Sequence, residues 1–137
     1  MPMTWRGRSE FDAALKALEA SMLAATRLGL ADAAAAVVRH AQEHASGRPG
    51  PDVVSGTLRR GIQMGPIEAL GAMGWQVEVG PTVVYSRRIE LGFHGVDSLG
   101  RSYDQPGYPF FEPGYREVEP ELERTFTSRW AVALEAV

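Results

Sequence analysis

Apolar residues recur at alternating spacings of four and three from Phe11 to His44, and this rhythm constrains the chain more than any other feature. Phe11, Leu15, Leu18, Met22 and Ala25 fall on one helical face, and Leu30, Ala34, Val37, Ala41 and His44 resume it after Gly29. Ser9 offers an N-cap hydroxyl and Asp12 a carboxylate in the first turn, so a helix is expected from Ser9 to about Ala45. Residues 1–8 are expected to form a flexible N-terminus. Gly29 coincides with the phase slip and disfavours a helix interior by about 1 kcal/mol against alanine, which leaves a bend or a break open there. If continuous, the helix spans roughly 50 Å at about 1.5 Å per residue. A chain of 137 residues has enough material for one core and not for two. Such a helix outruns what one small domain covers, and neighbouring subunits would account for the surplus.

Gly47, Pro49, Gly50 and Pro51 end the helix in an exposed loop. Asp52 or Ser55 can cap a short turn through Leu58 and Arg60. Ile62, Met64 and Ile67 begin a strand-like stretch, Gly71 and Gly74 suit a turn, and Trp75, Val77 and Val79 alternate with polar or small neighbours. A hairpin follows. Pro81 is expected to open a helix with Val84, Tyr85, Ile89 and Leu91 inward, stopping near Gly92. Residues 93–108, rich in glycine and polar side chains, are expected to be an extended contact loop. The last helix is expected after Pro113 or from Pro120, with Tyr115, Val118, Leu122, Phe126, Trp130, Ala133 and Val137 inward. The predicted class is α+β: a long N-terminal helix, a small antiparallel sheet with a short helix, and a long C-terminal helix, in one domain over residues 9–137.

The absence of cysteine removes disulfides, thiol catalysis and zinc-thiolate sites. A formal net charge of -3 exerts no global pull on nucleic acid or anionic lipid. No apolar block near the N-terminus resembles a signal peptide, and no run approaches the roughly 18 uninterrupted apolar residues of a membrane span, so the chain reads as cytosolic when made.

Candidate chemistry is sparse. His40 and His44 stand one helical turn apart beside Glu43, but with no third ligand close in sequence they read as a solvated helix end. No serine lies in a nucleophile-elbow context, and the glycine pairs lack a phosphate-loop lysine. Glu90, Asp97 and Asp104 carry oxygen ligands for a hard cation without the ordered ladder of a calcium loop. No catalytic, cofactor or metal residue is therefore assigned. The interface candidates are the basic pairs Arg59 with Arg60 and Arg87 with Arg88, and the aromatics Tyr103, Tyr108, Phe110 and Phe111. Of these, Tyr103 and Tyr108 are expected outward, while Phe110 and Phe111 could equally pin the last helix onto the sheet.

The segments "SGTLRRGI", "WQVEVGPTVVYSRRIELG" and "GYPFFEPGYREV", followed by a closing helix with Trp130, resemble in order the HK97 gp10-like family of tailed-phage neck and tail-completion proteins. Gly56, Leu58, Arg59, Val79, Gly80, Tyr85, Glu90, Gly92, Pro109, Phe110 and Pro113 occupy the family's typical places. Ser86 departs from the usual alanine and Phe93 from a common threonine. The resemblance implies a virion structural protein at the head-to-tail neck, made in the bacterial cytoplasm, with neither catalysis nor cofactor. It implies a homo-oligomeric ring of six- or twelve-fold symmetry. Implied partners are head-completion or adaptor proteins and tail-terminator or tail-tube proteins, with non-specific contact to channel DNA and none to membrane. A tail terminator capping the tail tube is the near alternative, and a small DNA-binding module using the arginine pairs the distant one.

Overall fold

The computed structural model describes residues 7–72 and 74–136. The chain is α+β, as predicted. Helix α1 spans Arg8–His44, and it is unbroken at Gly29. At 37 residues it is about 55 Å long. Its N-cap is Gly7 in the left-handed conformation, with no capping side chain. Ser9 is instead inside the helix, its hydroxyl donating to Glu10. Residues 1–6 of the expected flexible N-terminus lie outside the described residues, and Arg8 is already helical.

Gly29 does not break α1 because its missing side chain is occupied by a neighbour. A Cβ built there would lie 2.6 Å from Cδ1 of Phe126, so the glycine seats an aromatic ring of the last helix. The buried stripe of α1, comprising Ala25, Gly29, Ala33, Ala34, Val37 and Ala41, consists almost wholly of small residues. Small residues let other helices approach closely. The alanine content also makes α1 long and apolar enough, by length and composition, to cross a membrane, with a mean hydropathy of 1.4 over 18 residues, although Arg27 and Asp32 interrupt its apolar run. That helix nevertheless carries Asp32 in an ion pair with Arg129 and packs against protein along its C-terminal half.

After α1, helix α2 (Thr57–Arg60) leads into β1 (Ile62–Met64), β2 (Glu68–Ala69), β3 (Trp75–Gln76) and β4 (Val79–Pro81). β1 pairs antiparallel with β4, and β2 with β3, so the four form one interrupted hairpin. Its far end is tied to α1 by the Trp75 indole N–H, which donates to the Leu23 carbonyl at 2.9 Å. Pro81 closes β4 opposite Ile62 and does not open a helix. The helix that follows, α3, spans Ser86–Leu91, and Val84 and Leu91 point to solvent at 99% and 67% exposure. Pro81 is tolerated in a strand because β4 is paired on one side only, so its missing N–H costs no central ladder bond. Ser86 is the one buried residue of α3.

The expected contact loop is a second hairpin, β5 (Phe93–Val96) with β6 (Ser102–Gln105). Its turn is organised by Asp97, whose carboxylate accepts the backbone N–H of Leu99 and Arg101, the Arg101 guanidinium and the Tyr103 hydroxyl. The last helical segment begins at Phe111, ahead of Pro113, as α4 (Phe111–Val118). Pro113 sits in the first turn, where an N–H has no helical acceptor. Pro120 lies in a single 3-10 turn (Glu119–Glu121) that joins α4 to α5 (Leu122–Glu135). A proline deeper in one helix would have removed a ladder bond, so the chain splits the helix there.

α4 and α5 run antiparallel along α1: Gly114 meets Ala41, Phe126 meets Gly29, and Trp130 donates to Thr26. The core sits where α1, α4, β1 and α3 converge, around Ala41, Ala45, Ile62 and Phe110, with Val38, Leu58, Ile89 and Phe111 at its edge. Phe110 and Ile62 are the two largest fully buried side chains.

Candidate functional site

Two features of this fold carry potential function: a length of α1 on which no residue is buried, and a polar cluster where α4 crosses α1. No residue from Arg8 to Ala24 is buried. Phe11 is 65% and Leu15 43% exposed, although both belong to the apolar stripe. The last side-chain hydrogen bond from α5 to α1 joins Trp130 to Thr26, α5 runs on to Glu135, and the Trp75 indole reaches Leu23. The stretch from Arg8 to Ala24 makes roughly 25 Å of helix at about 1.5 Å per residue. Further apolar side chains, Val53 and Val54 after the first loop, and Val84 and Tyr85 before α3, are also exposed.

The crossing of α1 and α4 is very close. A Cβ built on Gly114 would lie 2.5 Å from the backbone N and 2.7 Å from the Cα of Ala41. Only glycine permits that approach, and it carries Glu117, one turn on, over the two histidines. The Glu117 carboxylate takes His40 Nδ1 at 2.6 Å on one oxygen and His44 Nε2 at 2.5 Å on the other. Glu43 stands 3.7 Å from the same His40 nitrogen. Hydrogen bonds from His44 first and His40 second hold the Glu117 carboxyl below the ordinary glutamate range. A carboxylate that the sequence around the histidines does not supply thus comes from 73 residues away. His40, Glu43 and Glu117 present ligand atoms within 4.8 Å of one another.

The remaining sequence candidates separate. Glu90, Asp97 and Asp104 do not converge on a cation. Glu90 caps α4, its carboxylate accepting the N–H groups of Phe110, Phe111 and Glu112 at 2.9, 3.0 and 3.1 Å. Asp97 organises the turn and Asp104 pairs with His94. Tyr103 and Tyr108, expected outward, are half-buried. Tyr103 packs tilted against Phe93, with ring centroids 5.7 Å apart, and its hydroxyl donates to Asp97. Tyr108 lies under the Arg48 guanidinium at 3.9 Å. Phe110 is a core residue at 0% exposure, and Phe111 packs on the core. Arg59 and Arg60 are exposed and donate to Ser46 Oγ and the Ser55 carbonyl, respectively. Arg88 lies over the Phe93 ring at 3.9 Å, and Arg87 is exposed. The arginines remain available at the surface, whereas the aromatics mainly close the fold.

Compared with protein-family models, curated proteins and solved structures, this chain matches none.

Proposed function

We propose that this chain is a structural subunit of a tailed phage, a neck or tail-completion protein that joins head to tail as one copy in a homo-oligomeric ring. The observation that supports self-assembly is the stretch of α1 from Arg8 to Ala24 on which no residue is buried, with Phe11 and Leu15 open to solvent. A lone helical segment of that length is marginal in water, because most helical stability in proteins comes from packing an apolar face. A neighbouring copy would supply the missing face, and repetition of one heterologous contact closes a ring. The neck assignment itself rests on the ordered motifs, from Gly56 through Glu90 to Pro113. In that setting the exposed arginines of α2 and α3 would face channel DNA or acidic surfaces of head-completion and tail proteins.

Light scattering and negative-stain imaging of the full chain test the assembly. Rings with a central channel are expected, and Phe11→Ser with Leu15→Ser should leave folded monomers. A parent chain that stays monomeric at tens of micromolar by sedimentation defeats the proposal. A tail terminator would instead cap finished tail tubes, so particles lacking the protein separate the two: unjoined but complete tails favour the neck.

A further inference from the structure

We propose that His40, Glu43 and Glu117, whose ligand atoms lie within 4.8 Å of one another, form a binding site for one divalent transition-metal ion of the zinc class, with His44, held on the other Glu117 oxygen, turning in as the fourth ligand. Two histidines one helical turn apart offer imidazole nitrogens from a single rigid element, and Glu117 brings a carboxylate from a second. Imidazole and carboxylate together suit a borderline cation such as zinc, which takes four such ligands at about 2.0–2.2 Å. Tetrahedral ligands at that bond length stand about 3.3 Å apart. The present contacts straddle that edge: Glu117 lies at 2.6 Å from His40 and Glu43 at 3.7 Å. A modest outward swing of Glu117 and an inward one of Glu43 would open the bracket to admit an ion. Both side chains have room to do so, at 45% and 61% exposure.

The site is also anchored. α1 holds the histidines on its packed C-terminal turns, next to buried Ala41 and Ala45, and the Gly114 crossing fixes the height of α4 above them. Glu117 is followed by buried Val118 and lies on a helix whose start is capped by Glu90. An ion here would clamp α4 to α1 across a chain separation of more than seventy residues. The site does not depend on the proposed ring, since every ligand comes from one chain.

The test is a titration of the chelator-treated full chain with zinc at neutral pH, read by competition with a chromogenic indicator and by thermal melting. One ion per chain with a dissociation constant of about 10 µM or tighter is expected, with a rise in melting temperature, and weakening as protons compete at lower pH. Glu117→Gln and His44→Asn, each checked for native circular dichroism, should weaken binding at least tenfold. Glu43→Gln should weaken it less. His94→Asn removes the other histidine-carboxylate pair, on the β5–β6 hairpin, and should change nothing. Three results each overturn the proposal: no saturable binding below 1 mM, binding indifferent to both Glu117→Gln and His44→Asn, or binding lost with His94→Asn. Should a variant unfold, nitrogen chemical shifts of the His40 and His44 rings in the parent decide it. Zinc-dependent shifts at both rings are required.

Discussion

Replacing Gly114 by alanine probes the crossing on which both the core and the histidine cluster depend. The new Cβ would sit 2.5 Å from the backbone N of Ala41, and ordinary contact begins near 3.4 Å, so α4 must retreat by about 0.9 Å. The obstacle is backbone on both sides, and no rotamer change relieves it. A radial gap of that size forfeits about a quarter to a half of each affected dispersion contact, and Phe110 and Val118 lie on the retreating segment. Overpacking of this kind costs typically 1–3 kcal/mol, and the upper end applies where backbone blocks backbone. Alanine's better helix propensity offsets about 1 kcal/mol. The net loss is about 2 kcal/mol, or a fall of roughly 8 °C in melting temperature for a domain of this size. Urea unfolding followed by circular dichroism, at matched protein concentration, measures it as a lower midpoint with an unchanged slope. A Gly114→Ala protein as stable as the parent would refute the close-crossing argument.

Gly29→Ala makes the contrasting case: its Cβ meets the Phe126 ring, which is half-buried and can tilt, so the change should stay within about 1 kcal/mol of neutral. A loss above about 2 kcal/mol in the same urea assay would mean that the ring is locked. Glu90→Ala leaves three N–H groups at the start of α4 without their acceptor and should cost about 1–2 kcal/mol. Faster amide exchange at Phe110–Glu112 is the local signature, and unchanged exchange there would show that water replaces the carboxylate at no cost. Acid should weaken the fold in a defined window. Glu117 is held low by His44 and His40, and Asp32 by its hydrogen bond to Arg129. A carboxyl whose folded value is depressed stabilises above its unfolded value and loses that contribution as pH falls through the folded one. Stability should therefore drop as pH falls below the ordinary values of 4.5 for Glu117 and 3.8 for Asp32. Glu117→Gln should flatten the upper part of that slope, and an identical pH profile would contradict the bracket geometry.

Where the sequence misled, the cause was a contact distant along the chain. Pro81 looks like a helix start because proline suits a first turn, yet pairing with Ile62 holds it in a strand. Residues 93–107 show no clean alternation, so the β5–β6 hairpin was not visible: its register rests on the polar turn built by Asp97. Tyr103 reads as an outward anchor, and only the position of Phe93 and Asp97 half-covers it. Glu117 carried no local signal at all, since nothing near it in sequence is a metal ligand beyond ordinary surface acids.

Local periodicity alone determined the long first helix, the first hairpin from Ile62 to Val79, the α+β class and the excess of apolar helix surface. These follow from side-chain spacing and turn chemistry, which act within a few residues. Tertiary structure alone decided that Gly29 seats a ring instead of breaking a helix, that Glu90 caps α4, and that Glu117 closes on His40 and His44. The physical reason is the same in each case. A glycine or a carboxylate has no fixed role until another element arrives to fill its space or donate to its oxygens, and that arrival is set by the antiparallel return of the last two helices along the first.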